Sequence, residues 1–470
     1  MMVSSEVSPW ARSGGLADVL GALPQALAAL GHQVAVVLPR YMHAADAPAT
    51  RVIDVLPVPM GPGTIDVAVW SMTATFGPGS VTHYFIENAA LYGREGLYGD
   101  THGEFGDNHR RFALLARAAL EISRRLFPAD VFHGHDWQAG LLPVYLREHF
   151  SYDPEFAAAK TLLTIHNLGY QGLFPAAMLD DLGLGRHLFN PSQLEFWGQL
   201  NFLKAGMVFS DALNTVSRKY AEEIQTPEYG FGLDGLLRER KAVLSGILNG
   251  VDYERWNPAT DKYLPAHYTP EDLNGKRECK RALLQEMGLP ERLIDRPVFG
   301  IVSRFAGQKG FDLIGEIARE VFQWDVGLVA LGNGEARYED LFRSLCAEFP
   351  DKVALRLGFN DALAHQIEAG SDMFLMPSHY EPCGLNQIYS LKYGTVPVVR
   401  ATGGLDDTID DSTGFKFADY NGIALLSTIR NAALAWEDRD AWRARMVRGM
   451  NKDFSWAPSA RAYSELYDRL

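Results

Sequence analysis

The sequence predicts an α/β protein built from two Rossmann-like, doubly wound parallel-sheet domains. Its 470 residues are too many for one ordinary hydrophobic core, so two domains of roughly 200 residues are expected. In both halves, runs that are apolar along their whole length alternate with helical stretches, which is typical of parallel strands covered on both faces. A short internal repeat supports the division, because SGGLAD, which begins at Ser13, is similar to TGGLDD, which begins at Thr402.

The longer apolar runs are the predicted strands. In the first half they are QVAVVLP (33–39), THYFIEN (82–88), DVFHGHD (130–136), KTLLTIHN (160–167) and DALNTVS (211–217). In the second half they are PVFGIVSR (297–304), VGLVALGNG (326–334), VALRLGF (353–359), MFLMPS (373–378) and VPVVRATGG (396–404). The join lies near 240–260, and we assign 1–245 to the first domain and 246–452 to the second.

The first helix is predicted within WARSGGLADVLGALPQAL (10–27), where leucine and valine recur at helical spacing. A short strand at 2–4 precedes it, so either this strand is unusually short or the natural start lies a few residues upstream. Gly14 and Gly15 stand at the first turn. They present bare N–H groups at the positive end of a helix dipole, where phosphate binds well. The alternative is a glycine turn that only lets helix and strand pack closely.

Composition narrows the function classes. The formal net charge of -14 argues against a general nucleic-acid or membrane-surface role. Three widely spaced cysteines, Cys279, Cys346 and Cys383, form no disulfide framework, which suits a reducing compartment. We find no signal peptide and no apolar run long enough to span a bilayer, and we expect a cytoplasmic protein.

Polar residues follow several predicted strands directly. They are Asp136, His166, Asn167, Arg304, Lys309 and Glu381. Ligands of open parallel sheets bind beyond the carboxyl ends of the strands. With two domains facing each other, these ends are expected to line one interdomain cleft.

Two of these stretches point to a diphosphate. SRFAGQKGFDLI (303–314) places Arg304 and Lys309 before a helix, where two cations could neutralise a departing diphosphate. The alternative is a solvated loop with ordinary surface charge. In PSHYEPCGLNQIYSLKYG (377–394), Glu381 could hold sugar hydroxyls while the amides after it hold a phosphate. It could equally be an acid that stabilises the start of a helix.

HGHDWQAG (133–140) resembles part of a zinc signature, because two histidines and an aspartate lie within four residues. No later set of ligands at suitable spacing completes it. We also expect His133 and His135 to alternate on a strand, so the side chains at its end need not converge. The sequence therefore favours no metal and no cofactor.

Taken together, the motifs are specific. The chain closely resembles bacterial glycogen synthase and plant starch synthase, retaining glucosyltransferases of the GT-B architecture, over essentially its whole length. The resemblance is carried by SSEVSPWARSGGLADVLGALPQAL, HDWQAGLLPVYL, LLTIHNLGYQGLF, LNGVDYERWNP, SRFAGQKGFDL, PSHYEPCGLNQIYSLKYGTVPVVRATGGLDDT and DFSWAPSARAYSELY. It implies that 453–470 form a helix crossing back to the first domain.

The resemblance also implies roles for individual residues. In the first domain, the loop with Arg12, Gly14 and Gly15 would meet the donor, supported by Asp18. Asp136, His166 and Asn167 would line the glucose site, with the His166 carbonyl near the anomeric carbon. The remaining substrate-binding positions it implies are Asn249, Cys383, Gly384, Leu385 and Thr402. Glu6 and Tyr98 would lie on the acceptor side.

In the second domain, the resemblance implies that Arg304 and Lys309 bind the diphosphate and that Glu381 holds glucose hydroxyls. Phe359 stands where the family has an aromatic residue on adenine. One departure concerns the first loop, which carries Arg12 where the family has lysine. Arginine keeps the charge but presents a planar fork instead of a compact ammonium.

The implied activity is transfer of glucose from ADP-glucose to the non-reducing end of an α-1,4-glucan in glycogen biosynthesis, with retention. The implied partners are ADP-glucose and glycogen, with no nucleic acid, membrane or metal. A double displacement with Glu381 as nucleophile stays open. Two other functions also stay open: a related enzyme that uses UDP-glucose, and a non-catalytic glucan-binding protein.

Overall fold

A computed structural model describes residues 1–470, and the chain divides into two units. The first unit comprises 1–216, 221–250 and 456–470, and the second comprises 217–220 and 251–455. Each unit contains one large sheet with helices on its faces. The prediction of two α/β domains built on parallel sheets is confirmed.

The large sheet of the first unit draws its strands from most of the unit's length. Its strands are Met2–Val3 (β1), Gln33–Pro39 (β2), Thr50–Met60 (β3), Gly63–Phe76 (β4), Gly79–Glu87 (β5), Val131–His135 (β8), Lys160–Ile165 (β9), Ala212–Thr215 (β13) and Leu244–Gly246 (β14). Smaller sheets contain Gly99–Asp100 (β6), Gly103–Glu104 (β7), Leu173–Pro175 (β10), Glu195–Phe196 (β11) and Gln199–Asn201 (β12).

In the large sheet the strand order is β14-β13-β9-β8-β1-β2-β5-β4-β3. Seven of these strands pair in parallel, whereas β3 pairs with β4 and β4 with β5 in antiparallel register. The sequence analysis does not predict β3 and β4. Their connection is a tight turn through Gly61, whose φ is 55°, and a short connection of this kind is possible only between antiparallel strands.

Helices cover the first sheet. They are Gly15–Ala29 (α1), Ala89–Tyr92 (α2), Asn108–Leu126 (α3), Leu142–His149 (α4), Phe202–Phe209 (α5) and Asp234–Glu239 (α7), while Arg218–Glu223 (α6) has residues assigned to both units. As predicted, α1 buries its apolar stripe, including Leu20 and Leu23, and Gly31 follows its end with φ of 106°.

The second unit has a six-stranded sheet in which every pair is parallel. Its strands are Val298–Val302 (β15), Gly327–Gly332 (β16), Val353–Leu357 (β17), Met373–Met376 (β18), Val396–Arg400 (β19) and Phe415–Phe417 (β20). The order is β17-β16-β15-β18-β19-β20. All five strands predicted in this half are present.

Its helices alternate with these strands along the chain. They are Asn274–Glu286 (α8), Phe311–Val321 (α9), Ala336–Glu348 (α10), Asp361–Gly370 (α11), Asn386–Lys392 (α12), Gly403–Thr408 (α13), Gly422–Glu437 (α14) and Arg439–Met450 (α15). The last helix, Trp456–Asp468 (α16), belongs to the first unit, where Tyr463 and Leu466 pack in the same core as Leu20 and Leu23 of α1. None of the helices combines the length and the apolar character needed to cross a membrane.

Candidate active site

The glycine loop at the start of α1 lies directly after β1. Gly14 is the N-cap of the helix with extended backbone (φ -164°), and Gly15 is its first residue. A Cβ atom added to either glycine would meet no atom within 4 Å. Neither position therefore needs glycine for packing or for left-handed backbone. This favours a ligand as the reason for the bare loop over close packing of helix and strand.

Glu6 fixes this loop through hydrogen bonds to its side-chain carboxylate. Its buried carboxylate accepts hydrogen bonds from the Ser13 N–H and the Ser13 hydroxyl, both at 2.6 Å, from the Gly14 N–H at 3.3 Å, and from the Tyr98 hydroxyl at 2.6 Å. Burial and the neighbouring Glu6 charge raise the pKa of Tyr98 well above its ordinary value, so Tyr98 is a stable donor. The amides of Gly15 and Leu16 are the first-turn donors without an intrahelical partner.

Arg12 and Asp18 pair across the same loop. An Arg12 guanidinium nitrogen lies 3.2 Å from Oδ2 of Asp18, and both side chains are partly exposed. Asp18 also lies in the first turn of α1, where an acid is stabilised by the helix dipole. Asp18 thus orients Arg12 in the loop that carries the two glycines.

Asp136 joins the ends of two neighbouring parallel strands. It follows β8, and its Oδ1 accepts the N–H of His166 at 2.6 Å and the N–H of Asn167 at 3.4 Å, both just beyond β9. Its φ of 56° is in the left-handed region, a strained conformation that clusters at functional sites. Burial raises the pKa of Asp136 to about 7, so the side chain carries a proton for part of the time at neutral pH.

Three histidine rings lie in a row behind this aspartate. The ring centroids of His133 and His135 are 4.1 Å apart, and His135 Nδ1 lies 3.0 Å from His166 Nε2. The two rings lie side by side, because residues two apart on a strand share a face. Burial lowers the pKa of His166 to about 3 and those of the other two well below their ordinary value, so all three are neutral.

Both ring nitrogens of His133 already have partners. Nδ1 lies 2.8 Å from the Tyr467 hydroxyl and Nε2 lies 2.7 Å from Thr164 Oγ1. No group of three or more His, Cys, Asp or Glu side chains in the structure is arranged to hold a metal ion. The histidine row acts as a rigid, neutral support for the β9 end.

In the second unit, Arg304, Lys309 and Glu381 follow the ends of two adjacent strands. Lys309 follows β15, and its ammonium lies 2.6 Å from Oε2 of Glu381, which follows β18. The Glu381 side chain is 7% exposed, and Ser378 donates to the same oxygen at 3.1 Å. Arg304 is exposed. Arg304 and Lys309 both follow β15, and Lys309 is paired with Glu381.

The backbone beyond Glu381 is held from several sides. Gly384 has φ of 67°, and Gln387 donates its side-chain amide to the carbonyls of Cys383 and Gly384. The Gly404 N–H donates to the Glu381 carbonyl at 3.1 Å. The segment from Cys383 to Leu385 is consequently rigid where it enters α12.

The TGGL segment that begins at Thr402 repeats the SGGL letters of the first loop, but its glycines have a different structural role. Thr402 is buried and is the N-cap of α13, and Gly403 has φ of 45°. A Cβ on Gly403 would lie 1.9 Å from the Glu381 carbonyl oxygen. Here the glycine is required by backbone and packing, unlike Gly14 and Gly15, so the shared letters serve different physical purposes.

Phe359 and Asn249 are single residues with unusual environments. Phe359 follows β17 and is 80% exposed, although aromatic side chains are normally buried. Asn249 is 6% exposed, and its Oδ1 has no hydrogen-bond partner. An exposed aromatic face and an unpaired buried carbonyl are both suited to a ligand.

Sequence reasoning missed three residues that position the site. Ser378 binds Glu381, and Gln387 braces the following loop. Ser217, which is fully buried, donates its hydroxyl to the Pro382 carbonyl at 2.7 Å. Ser378 and Gln387 lie inside the motif at 377–394 that contains Glu381, so their position in that motif could have identified them. Ser217 lies 165 positions from its partner, and nothing in the sequence indicates the contact.

Comparisons with known proteins find similar sequences along the whole chain, and all of them point to one family. The family described as "Starch synthase catalytic domain" matches residues 1–239, and "Glycosyl transferases group 1" matches residues 290–446. Similar curated proteins include the glycogen synthases of Koribacter versatilis (49% identical, covering 99% of this chain and 97% of the relative) and Anaeromyxobacter sp. strain Fw109-5 (50% identical, covering 100% and 99%).

A similar solved structure is the catalytic domain of starch synthase IV from Arabidopsis thaliana bound to ADP and acarbose. It superposes with a TM-score of 0.89 at 31% sequence identity, covering 100% of this chain and 98% of the other. The family match to half of the chain and the full-length relatives at about 50% identity assign the chain to the same family. The chain belongs to the glycogen synthase family of glycosyltransferases.

Proposed function

We propose that the protein transfers glucose from ADP-glucose to the non-reducing end of an α-1,4-glucan with retention of configuration. The observation that carries the proposal is the Lys309–Glu381 ion pair, whose members follow the carboxyl ends of β15 and β18, with exposed Arg304 also following β15. Family membership and the ADP in the similar starch synthase structure support the choice of donor. No cofactor enters the proposal.

In this proposal, Arg304 and Lys309 stabilise the charge that grows on the diphosphate as ADP leaves. Fixed cations in a preorganised site act on the transition state more than on the bound substrate. Phe359 stacks on adenine, and the amides from Cys383 to Leu385 with Thr402 complete the phosphate site. Each of these positions follows the end of a strand in the same sheet.

Residues of the first unit are proposed to act on the sugar and the acceptor. Asp136, His166 and Asn167 bind glucose, with the His166 carbonyl toward the anomeric carbon. Arg12, Gly14 and Gly15 meet the donor phosphate, and Asn249 contributes its unpaired side-chain carbonyl. Since Glu6 accepts hydrogen bonds from the loop and from Tyr98, its acceptor-side role includes holding this loop.

The reaction breaks the bond between the anomeric carbon and the diphosphate oxygen and forms one to the acceptor 4-oxygen. The acceptor's proton passes to a phosphate oxygen on the face from which ADP departs. A double displacement through Glu381 is the alternative. The ion pair with Lys309 disfavours it, because a carboxylate held by an ammonium and a hydroxyl is a weak nucleophile but a good partner for sugar hydroxyls.

One assay separates this function from its alternatives. Purified protein is incubated with glycogen and either ADP-glucose or UDP-glucose, and release of the nucleoside diphosphate is measured. We expect faster transfer from ADP-glucose. Faster transfer from UDP-glucose would reassign the donor, and glycogen binding without transfer from either donor would make the protein a glucan-binding module.

A further inference from the structure

Helix α12 is bonded at its start to two segments of the proposed donor site. Asn386, its first residue, donates its side-chain amide to the carbonyl of Val302, the last residue of β15, at 2.7 Å. Gln387, its second residue, donates to the carbonyls of Cys383 and Gly384 at 3.1 Å and 3.0 Å. A displacement of α12 would therefore shift both the end of β15 and the segment proposed to hold the donor phosphate.

A buried carboxylate holds the far end of this helix. The hydroxyl of Tyr393, which caps α12, donates to Oδ2 of Asp261 at 2.5 Å, and Nδ1 of His365 lies 2.7 Å from the same oxygen. All three side chains are buried. Burial by itself raises the pKa of Asp261, but the hydrogen bonds from His365 and Tyr393 lower it below its ordinary value. Asp261 is therefore ionised, and Nδ1 is the His365 nitrogen that carries a proton and donates it.

A buried lysine binds the same end of the helix. The ammonium of Lys276, in α8, donates to the carbonyls of Tyr393 and Ala369 at 3.0 Å and 2.9 Å, and to the Thr395 hydroxyl at 2.7 Å. Burial lowers the pKa of Lys276 to about 8. Its position is thus set by three oxygen atoms, one of which belongs to the residue that caps α12.

Two further contacts reach the middle of α12. The Ser390 hydroxyl donates to Oε2 of Glu368, a buried side chain of α11, at 2.6 Å. The indole of Trp256 stacks on the rings of both His365 and Tyr389, with centroids 3.7 Å and 4.0 Å away and interplanar angles of 7°. Hydrogen bonds and flat stacking depend on direction, so together they fix the helix along and about its axis.

Stability alone does not account for this choice of residues. Apolar side chains of similar volume often stabilise a core as well as buried ionic groups do, or better. Two polar atoms of the cluster, Nε2 of His365 and Oε1 of Glu368, are buried without a hydrogen-bond partner, which costs free energy. A cluster that carries these costs gains a uniquely defined helix position, which suits a helix that leads into a binding site.

We propose that five buried residues, which we call the α12 brace, position the donor phosphate site: Trp256, Asp261, Lys276, His365 and Glu368. They act through α12 on the end of β15 and on the segment from Cys383 to Leu385, and they take no part in the chemistry. Misplacing a reacting group by about 1 Å costs about 10²-fold in rate, so a small shift of α12 is enough to matter. The inference rests on the proposed function for the ligand of this site.

The mildest test is Tyr393→Phe, which keeps the ring and removes only the hydroxyl that binds Asp261. We expect kcat/KM for ADP-glucose to fall roughly three- to thirtyfold, less than a full 1 Å displacement would cost, and ADP affinity to fall with it. Glycogen affinity should stay unchanged, because the proposed acceptor residues lie in the first unit. Tyr145→Phe is the matched control, since it removes another fully buried tyrosine hydroxyl, which donates to the Leu182 carbonyl at 2.9 Å in the first unit.

Both variants are assayed well below their melting temperatures, by steady-state kinetics and by calorimetric titration with ADP. Both should unfold at a somewhat lower temperature than the parent, but only Tyr393→Phe should lose donor binding and rate. Parental kcat/KM and ADP affinity in Tyr393→Phe would overturn the brace. Equal losses in Tyr145→Phe would overturn it too, because any lost buried hydrogen bond would then have the same effect.

A double variant tests whether Asp261 and Tyr393 act through one contact. Residues that share a contact have non-additive effects, so Asp261→Asn/Tyr393→Phe should lose no more rate than Asp261→Asn alone. Fully additive losses would contradict the brace. In a parent that binds ADP but transfers no glucose, the proposed function would fail, and weaker ADP binding by Tyr393→Phe would still support the brace.

Discussion

The ammonium nitrogen of Lys309 lies 2.6 Å from Oε2 of Glu381, and these two residues follow neighbouring strands of one sheet. The carboxylate is almost fully buried and the lysine is 19% exposed. A buried charge without its partner is strongly destabilising, so each residue of the pair holds the other in place. In the proposed function, Lys309 binds the diphosphate and Glu381 binds the sugar.

Replacing Lys309 with alanine should therefore lower both turnover and stability. We expect kcat to fall roughly 10²–10³-fold, the range for removal of an electrostatic stabiliser. In Lys309→Ala/Glu381→Ala, the melting temperature should recover toward the parent while turnover stays low, because the stranded charge has been removed. Steady-state kinetics and thermal unfolding measure the two effects. Lys452→Ala, which breaks a more exposed Lys–Asp pair with Asp410, is the control and should change little.

Gly15→Ala separates a ligand role from a structural one. A Cβ at Gly15 has open space, so the variant should be as stable as the parent or more so, because alanine is the better helix residue. If the donor approaches this backbone, ADP-glucose affinity should drop severalfold, and Gly15→Val should be worse. Gly63→Ala is the matched control, since its Cβ also meets nothing within 4 Å. Unchanged ADP-glucose affinity in Gly15→Ala would remove the loop from the donor site.

Arg12 provides an independent test of the same loop. Because a hydrogen bond to a charged group contributes about 1.5–3 kcal/mol, Arg12→Ala should weaken ADP-glucose binding roughly ten- to hundredfold. Arg12→Lys should be milder because it keeps the charge. Asp18→Asn should resemble a mild form of Arg12→Ala, since Asp18 orients the guanidinium. Calorimetric titration with ADP-glucose measures all three, and loss of glycogen affinity instead of donor affinity would place Arg12 elsewhere.

The pKa of Asp136, about 7 in the folded protein against an ordinary 3.8, predicts a pH dependence of stability. Between these values the folded state binds more protons than the unfolded state, so Asp136 makes stability fall as pH rises from about 4 to about 7. Asp136→Asn has no such titration. Its free energy of unfolding relative to the parent should therefore increase with pH across this window.

Urea unfolding at a series of pH values measures that difference. Asp54→Asn, at an aspartate whose side chain is 88% exposed, is the matched control. A flat or falling difference for Asp136→Asn would mean that its carboxyl is ionised in the folded protein throughout the window.

Phe359 should recognise the base of the donor. With 80% of its surface exposed, its removal costs the fold little, so Phe359→Ala should keep its melting temperature and lose ADP affinity severalfold. Phe359→Tyr should retain affinity because the aromatic face is kept. Ile423→Ala removes another hydrophobic side chain, 82% exposed, in the same unit and should have no effect on ADP. Equal ADP affinity in Phe359→Ala and the parent would contradict the stacking role.

Much of the fold follows from the sequence because its signals are local. Apolar runs such as 327–332 and 396–400 are buried on both faces, and parallel strands leave that pattern. The hairpin of β3 and β4 escaped prediction because Pro57 and Pro59 interrupt the valine-rich run of β3, and proline is unfavourable inside a strand. The strand-end positions of Asp136, Lys309 and Glu381 could be read from the order of strand and polar residue alone.

Other features of the site depend on contacts between distant residues. Glu6 binds the glycine loop, seven residues away from it. Glu6 in turn accepts a hydrogen bond from Tyr98, which lies 92 positions away along the chain. The histidine row could have been foreseen from strand parity, but its partner Tyr467 lies 334 residues from His133.

The central claim is that glucose moves from ADP-glucose to the non-reducing end of a glucan with its configuration kept. Proton NMR of a reaction with ADP-glucose and maltoheptaose labelled at its reducing end tests it most directly. We predict a growing anomeric signal of α-1,4-linked glucose, stoichiometric release of ADP, and label that stays at the end of a chain one glucose longer. A β-anomeric signal, free glucose without chain growth, or glucose added at the labelled end would contradict the account.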